Sequence, residues 1–467
     1  MASHPPLSPH DIARALDGLH PDLRILGPDA VAGRHPGEDP TNLAAGVVAQ
    51  PASTAAAAAL ISWCRANHVA IVPQGGLSGL VGGGVSRHGD VILSSARLNR
   101  VIAIHVDEET VEVEAGVTLE GLQAALAPHG LTTGIDLGSR GSATIGGMVS
   151  TNAGGILAFR NGVMRHQILG LEAVLPSGEI LSDMTRVVKV SAGPDIKQIF
   201  IGGEGAFGFV TRVVMKVEPI RPHRAVALLG VTNAGRALEI AAHLRRHPSL
   251  LLEAAEMMWP HYARDHAQLK GFDLSWLEGG ASLLLVEISA QSADHATSLL
   301  EEELAAIWDA ADIKGGIVAQ SSEQARRFWD LREDSGFYFS AFPQAPSFDV
   351  SLPPTLVDHY VAELAHRLRS IGSGYDAYVY GHIADGNLHI ALATPGPLSP
   401  DIKHDVEDAV YAGITACGGS FSAEHGVGLD KHRAYLEHAD PGKQALARQF
   451  KTLLDPDGLF NPGKVPF

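Results

Sequence analysis

Apolar and polar positions alternate with two different periods along this chain, and the switch between them outlines its elements. DIARALDGL behind Ser8 and TAAAAALISWCRANH behind Ser53 place helix-forming residues after a capping serine, and each predicts a helix. VAIVP, residues 69–73, is a β-branched run that reads as a buried strand. The stretch from residue 85 to 117 alternates and is rich in Val and Ile, which predicts strands, with a helix over VTLEGLQAALAPHG. IFIGGEGAFGFVTRVVMKV, 199–217, reads as strand, glycine turn, strand. A new pattern opens after Pro219: strands in IRPHRAVALLGV and SLLLVEISA, and helices in NAGRALEIAAHLRRH and ATSLLEEELAAIW. Residues 328–354 read as a helix running into a strand, and SPDIKHDVEDAVYAGITACG and PGKQALARQFKTLLDP as helices. Repeated strand and helix of this kind suit an α+β layer.

One hairpin draws chemistry together. In YGHIADGNLHI, 380–390, Asp385-Gly386 signals a two-residue turn with positive φ at both positions. That turn sets His382 directly across from His389, with Cβ atoms roughly 4.5 to 5.5 Å apart. Asn387 falls on the same face, while Ile383 and Leu388 face the core. Two imidazoles on one spot suit a shared metal; a pair of satisfied core or surface histidines is the plainer reading. Glu424, in SFSAEHGVGL beside His425, is the candidate third ligand.

Composition narrows the classes. The chain has 467 residues, which suggests two to three domains, and a net charge of −17, which disfavours nucleic acid or an anionic membrane as partner. Cys64 and Cys417 are its only cysteines, which removes a disulfide framework and cysteine-based metal sites. A reducing cytoplasm fits: MASHPPLSPHDIARALDGL lacks a basic region followed by an apolar one, and no run of about 18 apolar residues occurs.

Three glycine clusters remain to be explained. QGGLSGLVGGG follows the 69–73 strand but lacks a Gly-Lys-Ser/Thr ending and a following helix, so neither the Walker loop nor the Rossmann fingerprint applies. Its glycines would let backbone N–H groups approach a pyrophosphate. DLGSRGSATIGGMVSTNAGGI, 136–156, has the density of small residues expected of backbone wrapped round a bulky ligand, and IGGEGAFGF is the third cluster. Ordinary connections are shorter and more polar.

The ordered strings VPQGGLSGLVGG, DLGSRGSATIGGMVSTNAGG, IGGEGAFGFVT, GHIADGNLHI, SAEHGVG and DPDGLFNPGK resemble the FAD-dependent D-2-hydroxyacid dehydrogenases of the vanillyl-alcohol oxidase superfamily, in the D-2-hydroxyglutarate and D-lactate dehydrogenase group. The resemblance covers nearly the whole chain from about Pro40. It implies an α+β fold: a two-part FAD-binding domain over 1–219, a substrate-binding domain on an antiparallel sheet flanked by helices over 220–415, and a C-terminal segment, 416–467, returning to the flavin and active site. Pro73, Gly75, Gly76, Leu77, Ser78, Gly79, Leu80, Gly82 and Gly83 would hold the diphosphate. Gly138, Ser142, Gly146, Gly147, Thr151, Asn152, Gly154 and Gly155 would line the flavin and ribityl chain, and Glu204, Gly205, Gly208 and Val210 the adenosine side. Asn461 would reach the flavin ring. QGGLSG lacks the histidine of covalently flavinylated relatives, so noncovalent FAD is expected.

The implied reaction is oxidation of a D-2-hydroxy acid to the 2-oxo acid with hydride passing to flavin N5. His382, His389 and Glu424 would hold Zn²⁺ or another divalent metal such as Mn²⁺ against the substrate hydroxyl, His425 would be the base, and Arg332 and Asn387 would orient the carboxylate and oxygens. Enzymes acting on 2-hydroxyglutarate carry a threonine and a lysine where this chain has Gly336 and Ser347. The clamp for a second carboxylate is therefore incomplete, and Phe337, Tyr338 and Phe339 are candidates to line a pocket for a larger, less polar side chain. A flavoprotein, quinone or cytochrome is the implied electron acceptor, and a homodimer is an open possibility of the resemblance. An oxidase using oxygen and a metallohydrolase using the His/His/Glu set are the alternatives; the second leaves the glycine clusters unexplained.

Overall fold

The computed structural model describes residues 7–277, 280–290, 292–333, 336–342 and 345–466. The chain forms two compact units, one of residues 1–220 and 424–467 and one of 221–423.

In the first unit, Ser8 and Ser53 each accept a backbone N–H at the start of the helices Pro9–Leu16 and Thr54–Ala66, as their cap positions require. Ile71–Gln74 and Val91–Ser94 pair in parallel within a four-stranded sheet. The C-terminal segment extends this sheet: Phe460 bridges Ile71, with Ile71 N donating to Leu459 O at 2.7 Å and Asn461 N to Ile71 O at 2.7 Å. Lys451 Nζ fastens the same segment to the third glycine cluster by donating to Ala206 O at 2.8 Å and Phe460 O at 2.7 Å. A six-stranded sheet follows, its longest strand Phe209–Pro219 lying between Thr110–Glu114 and Ile168–Val174.

IFIGGEGAFGF departs from the expected strand–turn–strand. Residues Ile196–Ile199 form a 3₁₀ turn and the strand begins only at Phe209. Both edges of Phe209–Pro219 are already taken by other strands, which leaves the short Ile-Phe-Ile run no ladder to join. Gly203 instead turns tightly over it, where a Cβ would come 2.7 Å from Ile199 O.

The second unit is a seven-stranded antiparallel sheet in the order Gly316–Val318, His223–Val231, Ser282–Ala290, Leu251–Met258, Asp376–His382, Asn387–Ala393, Ser347–Ser351. Ser282–Ala290 is buried over all but its last residue, as a strand covered on both faces must be. Pro260–Lys270 and Ser322–Glu333 pack on one face around Tyr262, Leu283, Leu285 and Phe328. Ala234–Arg246, Ala293–Ile307 and Val357–Ile371 pack against the sheet as a second group.

Candidate active site

A polar tier crosses one end of the helix-covered face of the second sheet. Strand pairing sets Glu256, His382, Asn387 and Ser351 in one row and Met258, Tyr380, His389 and Asp349 in the next. Because side chains alternate along each strand, all eight point to the same side. The 256–258 strand also pairs through Met258 and Glu256 with Leu283 and Leu285 of the apolar core, so the tier is continuous with dry packing.

The hairpin differs from the expected one. His382 pairs with Asn387, and His389 with Tyr380, so the connection is four residues, 383–386, and the two histidines are diagonal neighbours. Only Gly386 of the Asp385-Gly386 pair has a positive φ, +78°. Asp385 instead accepts from Asn387 N at 3.1 Å, and the turn docks on a neighbouring strand end through Leu352 N to Gly386 O at 3.0 Å. Those two bonds select the longer turn. Ile383 lies in the connection, fully buried, with its N donating to Ala255 O at 3.1 Å, and Leu388 pairs with Gly381 on the opposite face.

The rings nevertheless converge, with Nε2 of His382 and Nε2 of His389 3.4 Å apart. Glu256 accepts from His382 Nδ1 at 2.7 Å, which fixes the tautomer and leaves Nε2 as the lone-pair nitrogen. Asp349 Oδ1 stands 3.7 Å from His389 Nδ1. Asn387 is pinned as well: its Nδ2 donates to Asp349 Oδ1 at 2.8 Å and Val350 O at 3.0 Å, while its Oδ1 is buried with no hydrogen-bond partner. With its donors spent, Asn387 offers the site only an acceptor, suited to a hydroxyl or a cation. Two imidazole lone pairs, a buried orphan oxygen and carboxylates behind the rings form a donor set that fits a divalent ion such as Zn²⁺.

Arg332, on the helix Ser322–Glu333, is 7% exposed. Its Nε and one terminal nitrogen both donate to Glu256 Oε2 at 2.7 Å, and its guanidinium lies 4.7 Å from the centre of the Tyr380 ring. Burial alone would raise the Glu256 carboxyl, but His382 and Arg332 outweigh it and hold the group below the ordinary carboxylate range. Removing one partner of such a buried pair costs about 3–5 kcal/mol. Behind Arg332, Tyr262 donates to its carbonyl at 3.0 Å and stacks on His266, which shares a 2.8 Å hydrogen bond with Tyr338. The side chains of Phe337 and Phe339 lie outside the described residues, and Ser347 is exposed. Neither Glu256 nor Asp349 follows from local pattern. Acids within the apolar run LLEAAEMM were the available signal, but Glu253 and Glu256 share it, and the run does not say which one meets the histidine.

In the first unit, the glycine clusters enclose a cleft with about 1460 Å³ of open space including its mouth. Its wall takes in Pro73, Gly75 to Leu80 and Gly83 of the first cluster, Gly138, Gly146, Gly147, Thr151 and Gly154 of the second, and Glu204, Gly205, Gly208 and Val210 of the third. Glu424 and His425 also line it. Some glycines let the loops touch back to back: a Cβ on Gly76 would sit 1.7 Å from Ser142 O. Others have no such reason, since a Cβ on Gly79 or Gly138 would meet nothing of the protein within 4 Å. Space left bare at a cleft wall fits a bulky, flat ligand, and FAD matches it.

Five expected cofactor residues stand behind that wall. Gly82, at φ +70°, packs on Leu429; the Ser142 hydroxyl donates to Ser139 O; Asn152 caps a helix at φ +56° and accepts from Arg165 N. Gly155 N donates to Glu424 Oε1. Asn461 donates to Glu204 O at 2.8 Å and Gly83 O at 3.3 Å, clamping two glycine clusters together. Glu204 in turn accepts from Val427 N at 2.7 Å and Gly428 N at 2.8 Å. Burial pushes its carboxyl above the ordinary value against the pull of those N–H groups and Lys431. Glu204 thereby fixes the loop that presents Glu424 and His425.

The fold and cleft define a flavoenzyme of the vanillyl-alcohol oxidase type. Residues 45–183 match the FAD binding domain family and 220–465 the C-terminal domain of the FAD linked oxidases. By fold, the chain superposes on a 4-ethylphenol oxidase from Gulosibacter chungangensis with a TM-score of 0.70 at 18% identity, covering 98% of this chain and 97% of that one. Against p-cresol methylhydroxylase the TM-score is 0.69 at 13% identity, covering 98% and 96%. Among curated relatives, D-2-hydroxyglutarate dehydrogenase of Xanthomonas citri pv. viticola is 32% identical over 90% of this chain and 88% of its own, and the mitochondrial enzyme of that name from Rattus norvegicus 34% over 90% and 78%. A putative mitochondrial D-lactate dehydrogenase of Schizosaccharomyces pombe is 30% identical over 89% and 80%. The chain belongs to the FAD-linked oxidases, in the group of the FAD-dependent D-2-hydroxyacid dehydrogenases. Among the described residues no helix is long and apolar enough to cross a membrane.

Proposed function

We propose that this protein oxidises a D-2-hydroxy acid to its 2-oxo acid, with noncovalent FAD in the glycine-lined cleft and a divalent ion, Zn²⁺ on this donor set, held by His382, His389 and Glu424. Bound FAD supplies a two-electron acceptor and the ion a Lewis acid. Arg332 binds the substrate carboxylate with its guanidinium, a fork suited to that group. Asn387 helps to orient the substrate oxygens beside it. His425 removes the hydroxyl proton at its ring nitrogen as general base.

The observation that carries this reading is the composition of the cleft wall, which combines bare glycines with Glu424 and His425. One residue earlier, Ala423 N donates to Asp349 Oδ2 at 3.0 Å, beside the histidine pair. The first glycine cluster, QGGLSG, carries no histidine, which supports a flavin held without a covalent link. The electron acceptor is a flavoprotein, quinone or cytochrome, since no nicotinamide fingerprint is present, and the setting is cytoplasmic.

The test is anaerobic addition of candidate D-2-hydroxy acids to the purified yellow protein. Bleaching of the flavin band by a D acid, abolished by a chelator and restored by Zn²⁺, is the expected result. A flavin that no hydroxy acid bleaches overturns the assignment. Rapid recolouring in air would replace the dehydrogenase with an oxidase.

A further inference from the structure

We infer that Glu256 is a positioning residue that ties the ion-holding histidine to the arginine grip on the substrate, so that one buried carboxylate sets the geometry of both. The inference rests on the roles proposed above for His382 and Arg332.

Glu256 is fully buried in Leu251–Met258 and divides its two oxygens strictly: Oε1 to His382 Nδ1 and Oε2 to Arg332, all at 2.7 Å. A carboxylate is planar and rigid, so rotating it to follow one partner breaks the bond to the other. Neutralising Arg332 would need only Oε2, and orienting His382 only Oε1; the shared arrangement does both. A second link runs in parallel. The Tyr380 ring carries the Arg332 guanidinium on one side, at 4.7 Å, and lies 5.1 Å from the His389 ring. Arginine and both histidines are thus joined through side chains that occupy adjacent strand positions.

The chemistry of an amide at this position makes the inference testable. In E256Q one end of the side chain becomes a donor. If that end faces His382, the imidazole must accept at Nδ1, which moves its proton to Nε2 and removes the lone pair an ion needs. If it faces Arg332, donor meets donor and the guanidinium is displaced. E256D keeps the charge but is one methylene shorter and cannot span both partners.

The experiment uses the full-length flavoprotein, stripped of metal and titrated with Zn²⁺ against a chromophoric chelator, together with anaerobic flavin reduction at varied D-2-hydroxy acid. E256Q should keep FAD while its Zn²⁺ affinity falls about 10–100-fold, the substrate concentration for half-maximal reduction rises about tenfold, or both. E256D should move at least one of the two readouts by about tenfold. Wild-type values of both readouts in both variants overturn the inference. Should neither variant hold flavin, ¹⁵N NMR of His382 in the wild type, assigned by difference from H382N, decides it: an Nδ1–H ring supports the proposal and an Nε2–H ring overturns it. A wild type that binds no Zn²⁺ or is reduced by no hydroxy acid refutes the functional reading instead, so the two failures are distinct.

Discussion

Gly76 lies against the carbonyl of Ser142 so closely that a Cβ on the glycine would sit 1.7 Å from that oxygen. The two cofactor loops are therefore packed through backbone, and Gly76 serves the protein before it serves a ligand. Gly138 lines the same cleft with nothing of the protein within 4 Å of its would-be Cβ. G76A should destabilise the fold by about 1–3 kcal/mol or more, since backbone must move to admit the methyl group. G138A should leave the melting temperature of the apoprotein unchanged and lower only its flavin occupancy. Thermal unfolding of apoprotein and absorbance per chain of reconstituted protein separate the two; equal behaviour of both variants would contradict this division.

His425 shares the cleft wall with the glycines, on the loop that Glu204 fixes. H425A should retain flavin and metal and lose about 10²–10⁴-fold in the rate of flavin reduction by substrate. Stopped-flow absorbance reads that rate directly. Reduction as fast as in the wild type would exclude a base at this position.

Lys464, 2% exposed, donates to Asn461 Oδ1 at 3.2 Å. Burial pushes its ammonium down to about 8, with Asp90 opposing the shift and Arg87 adding to it. Between that value and the ordinary 10.5 the folded chain holds fewer protons than the unfolded one, so stability rises with pH across the window. Below it the contribution is lost, because a charged ammonium has to stay buried. Denaturant melts of wild type and K464M at about pH 7.5 and about pH 9.5 should show the wild type gaining on the variant at the higher pH. Parallel pH dependence of the two proteins would remove Lys464 from the account.

The curated relatives carry the names of enzymes for a diacid and for lactate, yet this chain has Gly336 and Ser347 where a second-carboxylate clamp is expected, and Ser347 is exposed. Tyr262, His266 and Tyr338 form a buried layer behind Arg332. That layer is packed core rather than pocket wall, so the missing clamp carries the expectation: longer or aromatic D-2-hydroxy acids should give kcat/KM values at least about tenfold above D-2-hydroxyglutarate and D-malate. Side-by-side assays of these with D-lactate check it, and a preference for the diacids would reverse the inference.

What the sequence disclosed about the site depended on parity. The expected and observed hairpin registers differ by two residues, and since strand faces repeat every two residues, His382, His389 and Asn387 stay on one side in either register. The turn itself was not legible, because one of the two bonds that select its length comes from Leu352, just past the end of a distant strand. Glu256 lies 126 residues from the histidine it orients, and no local period can report such a partner. Glycine density signalled a cleft but not which glycines face it: Gly76 and Gly138 look alike in sequence, and only the position of Ser142 separates them. Asn461 was expected at the flavin ring, whereas its clamp between Gly83 and Glu204 needed three distant segments to be brought together.

Because the polar tier is built from neighbouring strands rather than from loops, no member can be exchanged singly without disturbing the ones beside it. Retargeting this protein to a new acid would then have to begin outside the ladder, where a side chain can change while the strands hold their register. An engineer would treat the ladder as fixed hardware and its surroundings as the part to vary.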